Sequence, residues 1–402
     1  MPEPAAQPPL ESTPPRLDRP SAAAAGLPAV AKTAKLVGSM GLGRGIRALL
    51  QVNQSDGFDC QSCAWPSPDG ERHVFEFCEN GAKAVADEAT PRRVDRDFFA
   101  RYSIAELAAQ TDHWLNAQGR LVEPLVLWPG ATHYAPITWA DAFALLASEL
   151  HALPSPDAAA FYTSGRTSNE AAFLWQLFVR TFGTNNLPDC SNMCHESSGV
   201  ALGESIGIGK GTVKLEDFER ADAIFVIGQN PGTNHPRMLS ALAAAKARGA
   251  RLVSINPLPE VGLERFKNPQ DFLNPIKVFK TLAGEGERLS DLWLQPRIGG
   301  DLALFKGIIK AMLEADAAAP GRVVDEAFIS QHTHGFEALV ADVQSAAWST
   351  IVTASGVEEA SIREAAAIAA GSRATIACWA MGLTQQPEAV ATIQQVVNFL
   401  LL

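Results

Sequence analysis

The stretch AIFVIGQNPGTNHPRMLSALAAAKARGARLVSINP, Ala223–Pro257, reads as strand, turn, helix and strand. Ala223–Ile227 is a bare apolar run, as in a parallel strand covered on both faces. Pro236–Arg248 reads as a helix with Gly249 as its C-terminal stop. Arg251–Ile255 is the next strand. Together they form a βαβ unit, whose crossover is right-handed in nearly all proteins. The same alternation extends outward. Ala158–Thr163 reads as a short apolar strand and Glu170–Phe182 as a helix. Helices are expected over Ala303–Glu314 and Ser361–Ala370, with a buried strand at Thr375–Ala380. EAVATIQQVVNFLLL, Glu388–Leu402, is an apolar helix with no stop signal, so the chain is expected to be the N-terminal part of something longer.

Upstream of these units, Ser103 with Glu106 marks a capped helix start, and Thr138 caps the amphipathic WADAFALLASELHAL. GFDCQSCAWPSPDGERHVFEFCENGAKAVADEAT, Gly57–Thr90, is turn-rich, which suits a small subdomain held by a metal centre. A two-stranded turn is expected at Glu71–Phe77. Residues up to about Ala31 are Pro- and Ala-rich and read as a flexible tail.

At 402 residues, two or three packed units are expected. A formal charge of -11 argues against nucleic acid as a partner. Six cysteines are too few for a disulfide scaffold in a chain this long, and their grouping points to metal or redox chemistry. The sequence has neither a membrane-span run nor an export signal, and a cytoplasmic location is expected.

Five motifs carry chemistry. Cys60-x-x-Cys63 with Cys78 can grip an iron–sulfur centre or zinc, or be structural thiols. Gly228-Gln229-Asn230-Pro231-Gly232-Thr233-Asn234-His235 and Asn256-Pro257 lie where parallel strands end, the edge at which open α/β sheets bind ligands. Gly165-Arg166 suits an anion, although Ser168 and Asn169 read equally well as helix caps; Asp301, after Gly300, reads equally well as a cap. In DCSNMCHESSG, Asp189–Gly199, the Cys194-His195 pair is a nucleophile, a metal ligand or a packing pair, on an expected loop.

GFDCQSCAWP, FCENGAKAVADEAT, SGRTSNEAAF, CSNMCHESSG, GQNPGTNHPRM, QPRIGGDLAL and ACWAMGLTQ, in this order, resemble the molybdopterin-dependent oxidoreductases, notably the formate-dehydrogenase-like FdhF/YdeP branch. The resemblance covers about Val52 onward. It implies a small iron–sulfur subdomain followed by Rossmann-like parallel-sheet α/β domains of the formate dehydrogenase/DMSO reductase type, C-terminally truncated. The corresponding parts are a tail at 1–34, an iron–sulfur subdomain at 35–125, a discontinuous α/β domain at 126–190 with 345–402, and a guanine-dinucleotide domain at 191–344. It implies molybdenum with bis-molybdopterin guanine dinucleotide and a [4Fe-4S] cluster on Cys60, Cys63 and Cys78. The third cysteine comes late and no fourth follows at the usual spacing. Cys194 would ligate molybdenum and His195 would accept the substrate proton. Lys83 would lie between cluster and pterin. Gly165, Arg166, Gly228, Asn230, Pro231, His235, Asn256, Pro257, Gly300, Asp301 and Gly382 would hold the cofactor. The implied activity is two-electron oxidation of formate or handling of a similar oxyanion, with an electron-transfer partner, and this chain alone is expected to be inactive. A non-catalytic, acid-resistance-associated homologue and a cluster-only electron carrier are the alternatives.

Overall fold

The sheet expected around Ala223–Pro257 is present in a computed structural model that describes residues 23–273, 278, 284 and 286–402. Its strands are β1 (Ala223–Ile227), β2 (Arg251–Ile255), β3 (Leu292–Leu294) and β4 (Thr375–Trp379), in the order β4-β1-β2-β3. Every pairing is parallel, and β4 runs beside β1 from Thr375 opposite Ala223 to Trp379 opposite Ile227. All four strands therefore end at the same edge.

The bare apolar run of β1 is explained by burial on both faces. Successive strand side chains point to opposite sides. Ala223, Phe225 and Ile227 enter one core with residues of the helices Asp301–Ala318, Glu359–Ala370 and Ala389–Leu401. Ile224 and Val226 enter the other with Met238, Leu239 and Leu242. Phe399 packs edge-on against both Phe225 and Phe305.

The chain divides into two compact units. One comprises 30–62 and 73–189, and the other 23–29, 63–72 and 190–402, within the described residues. The parallel sheet belongs to the second. Ala24–Ala25 pairs with Phe266–Lys267 and the helix Gly26–Met40 follows, so ordered structure begins earlier than the expected tail boundary. Residues 1–22 of that tail lie outside the described residues.

In the first unit, Leu49, Val52, Ala82, Val85 and Ala86 form a small core. Ser103 and Glu106 make the expected reciprocal capping box, and Thr138 caps Trp139–His151. Two expectations are corrected. Glu71–Phe77 forms no strand pair; Glu76 turns inward and its carboxylate accepts from the backbone N–H of His73 at 3.1 Å. Ala158–Thr163 forms no strand either, beyond an isolated bridge from Thr163 to Asp189. A strand needs a neighbour for its backbone groups, and Tyr162 is 53% exposed. The flanking helices are likewise uncovered: Trp139–His151 buries no residue and Asn169–Phe182 buries only Val179.

The third correction concerns Asp189–Gly199. Cys190–Ile206 is a helix rather than a loop, broken by non-helical angles at His195. Among the described residues, no helix is long and apolar enough to cross a membrane.

Removing a ring from the doubly covered sheet leaves a cavity. Phe305→Ala is expected to cost about 3–5 kcal/mol of stability in chemical denaturation. Phe143→Ala, at a 62% exposed ring, is expected to change it by less than about 0.5 kcal/mol.

Candidate functional site

The strand order places a switch point between β1 and β4, since the chain steps from β1 to β2 and β3 on one side and returns to β4 on the other. In open parallel sheets the crevice beyond the strand ends at such a point is where ligands bind. Here two turns leave the sheet side by side. Gly228 follows β1 with φ +57°, and a Cβ on it would lie 2.9 Å from the carbonyl carbon of Gly382. A Cβ on Gly382 would lie 2.7 Å from the Cα of Gly228. The Gly382 N–H donates to the Gly228 carbonyl at 3.2 Å. Only glycines permit this backbone-on-backbone approach. Beside it, the side-chain oxygen of Gln229 is buried without a hydrogen-bond partner among the described residues.

The Asn230 and Asn256 turns are joined by a residue that sequence reasoning missed. Asn230 Nδ2 donates to Glu260 Oε2 at 2.6 Å, and Asn256 Nδ2 to Glu260 Oε1 at 3.1 Å. Asn230 Oδ1 also accepts from the Thr233 N–H, capping the short helix Pro231–Asn234. The carbonyl of Pro257 accepts from Gln295 Nε2 at 2.9 Å. His235 stacks flat on Trp65, and burial holds its imidazole below the ordinary value and favours the neutral ring. A lone Glu three residues after Asn-Pro gave no spacing signal for this bridge.

Cys194 and His195 reach the same edge through the helix Met381–Thr384, which carries Gly382. The kink at His195 disturbs the helical ladder. The carbonyls just before it are met by side chains: Thr384 Oγ1 donates to the Cys194 carbonyl at 2.6 Å, and Gln385 Nε2 to the Met193 carbonyl at 2.7 Å. Ser197 Oγ returns a bond to the Thr384 carbonyl at 3.1 Å. Burial lowers the pKa of His195. Burial pushes the Cys378 thiol up to about 12 and keeps it protonated.

The remaining candidates lie in the first unit, except Cys63, Gly300 and Asp301, which fall in the second. The Cys60 N–H donates to Asn53 Oδ1 at 2.9 Å, and Asn53 Nδ2 donates to the Glu76 carbonyl at 2.7 Å. Cys78 caps the helix Glu79–Ala89, its sulfur accepting from the Gly81 N–H. The two sulfurs converge on Gly81, where a Cβ would lie 3.0 Å from Cys60 Sγ and 4.0 Å from Cys78 Sγ. Among the described residues, no group of three or more His, Cys, Asp or Glu is gathered to hold a metal ion. Lys83 pairs with Asp87 at 2.6 Å along its own exposed helix face. Arg166 follows the Gly165 turn with its backbone N–H on Ser164 Oγ, while Ser168 caps the next helix.

Asp301 opens the helix Asp301–Ala318 just after Gly300, which is itself the N-cap residue. Its carboxyl is 6% exposed, and burial raises its pKa against the opposing bond from Gln386 Nε2 at 3.0 Å. Gln386 also donates to the Gly382 carbonyl, tying Asp301 to the glycine turn. The folded state binds this proton more tightly than the unfolded chain. Its stabilising effect is therefore complete below the ordinary value of 3.8 and is lost as pH rises through the raised value. Asp301→Asn is expected to flatten that part of the pH profile of the melting temperature and leave the rest unchanged.

The chain has relatives among known proteins. The chain is 55% identical over 363 residues to an uncharacterized oxidoreductase of Mycobacterium tuberculosis (strain ATCC 25618 / H37Rv), covering 90% of this chain and 46% of that protein. It is 46% identical over 385 residues to Protein YdeP of Escherichia coli (strain K12), covering 94% of this chain and 50% of that one. A more distant relative is F420-dependent formate dehydrogenase 1 subunit alpha of Methanococcus maripaludis, 28% identical over 286 residues, covering 71% and 38%. Acetylene hydratase from Pelobacter acetylenicus shares the fold, with a TM-score of 0.56 at 20% identity, over 74% of this chain and 37% of that one. The chain thus spans about half the length of the curated relatives it matches best among these. The family model described as molybdopterin oxidoreductase matches residues 120–402, and the chain belongs to that family.

Proposed function

We propose that this chain supplies the molybdenum-ligating thiol and one guanine-dinucleotide seat of an oxidoreductase that converts formate, or a similar small oxyanion, by a two-electron reaction. The observation that carries this reading is the junction at the switch point. There the kinked Cys194-His195 helix is bonded through Thr384 and Gln385 to the turn whose Gly382 meets Gly228. Family membership implies a molybdenum–pterin cofactor. The residues present fit such a group at one point: beside the Gly228–Gly382 contact the buried Gln229 oxygen has no donor among the described residues. The distant likeness to a formate dehydrogenase subunit favours formate as substrate.

Bound there, the cofactor would supply a metal that takes up the electron pair when formate becomes carbon dioxide and a proton. Gly228, Asn230, Pro231, His235, Asn256 and Pro257 would line the pterin-nucleotide seat, with Glu260 holding the two asparagine turns in register. Gly300 and Asp301 would meet the guanosine end. Cys194 would offer a soft thiolate, a ligand type suited to this metal's redox chemistry. His195, next in the chain, would contact the substrate. Gly165, Arg166 and Lys83 would keep the cofactor-contacting roles that the resemblance implies. The complete activity is proposed for a protein of the relatives' length.

The iron–sulfur part of the reading rests on Cys60-x-x-Cys63 and Cys78. Two of these sulfurs converge on Gly81, but no third ligand is gathered with them among the described residues, so the present thiols do not fit a complete [4Fe-4S] site. No electron path through a cluster is derived.

Elemental analysis of anaerobically purified protein of the relatives' length is expected to find molybdenum near one atom per chain. Cys194→Ala is expected to alter the molybdenum spectrum and bring formate oxidation to background. A molybdenum-free wild type, or a variant unchanged in both spectrum and turnover, would refute the proposal.

A further inference from the structure

Trp379, the last residue of β4, donates its indole Nε1–H to Ser198 Oγ at 2.9 Å. Ser198 Oγ in turn lies 3.2 Å from His195 Nδ1, one helical turn back. The serine is only 8% exposed, so water offers its hydroxyl little alternative. The directions of these bonds follow from the groups themselves. An indole N–H can only donate, and a hydroxyl carries a single proton. Trp379 therefore occupies one of the two lone pairs of Ser198; were the ring to donate from Nδ1 to the other, the buried serine proton would have no acceptor among the described residues, so that proton points at Nδ1.

A neutral imidazole that accepts at Nδ1 carries its own proton on Nε2. We propose that Trp379 and Ser198 are positioning residues that hold His195 as the Nε2–H tautomer, so that the ring presents a hydrogen-bond donor to an oxyanion substrate. This deepens the proposed function and rests on its placement of His195 at the substrate. It departs from the proton-acceptor role that the sequence resemblance implies. In this tautomer the ring's lone pair sits on Nδ1 and is already engaged. His195 thus binds and orients the oxyanion.

The test needs neither metal nor turnover. The 402-residue chain is labelled with 15N-histidine, and the His195 signals are assigned by their loss in His195→Gln. With the imidazole neutral, long-range 15N–1H correlation reads which ring nitrogen bears the proton. The expected wild-type pattern is a protonated Nε2 and a bare, hydrogen-bonded Nδ1. In Ser198→Ala the Nδ1 resonance is expected to move downfield to that of an imidazole nitrogen with no donor. Ser198→Thr, which keeps the hydroxyl, is expected to retain the bonded shift. A proton on Nδ1 in the wild type overturns the proposal, whether or not the variants fold. So does an unchanged Nδ1 resonance in folded Ser198→Ala. Absence of molybdenum or of formate oxidation would instead sink the proposed function and leave this tautomer measurement standing.

Discussion

The contact on which the candidate site depends is the touch between the backbones of Gly228 and Gly382. Parallel register brings β4 level with β1, so the chain leaves both strands at the same height. With any side chain at either turn, the two loops would have to part. Because they meet, the short helix after β4 is set against the kinked helix Cys190–Ile206. Its last residue and the two glutamines beyond it then reach four separate targets. Thr384 and Gln385 take the carbonyls before the kink, and Gln386 bridges Asp301 to the Gly382 carbonyl.

The kink at His195 illustrates how an irregular backbone becomes affordable. A helix interrupted at one residue leaves carbonyls without their usual donors, and buried carbonyls without donors are rare. Side chains from an element nearly two hundred residues away supply them. The same region couples the ring of His195 to the last residue of β4 through Ser198. Backbone satisfaction and side-chain orientation are thus achieved by one set of neighbours. The metal-ligand candidate and its adjacent imidazole are held by the sheet edge that also forms the Gly228–Gly382 contact.

Much of the parallel-sheet unit was legible as pattern. Strands such as AIFVI and RLVSI, the Gly249 stop and the late strand at Thr375 follow from burial on both faces and from local turn chemistry, which act over a few residues. The strand-end positions Gly228, Asn230 and Asn256 were legible for the same reason, whereas Gly382 came only from the family resemblance. Ala158–Thr163 was misread because an apolar run makes a strand only where another strand accepts its backbone bonds, and pattern says nothing of neighbours. Glu260, Thr384, Gln385 and Gln386 carried no signal, since their partners are distant in sequence or lie on other turns.

The sequence by itself therefore determined the α/β class, the polar turns at the strand ends and the presence of a thiol beside an imidazole. These depend on short-range periodicity and residue chemistry. Tertiary structure alone decided that the thiol and imidazole sit on a broken helix, that two glycine turns touch, and that Asn230 and Asn256 share one carboxylate. It also brought Ser198, itself held by Trp379, to Nδ1 of His195, the contact from which the proposed tautomer follows.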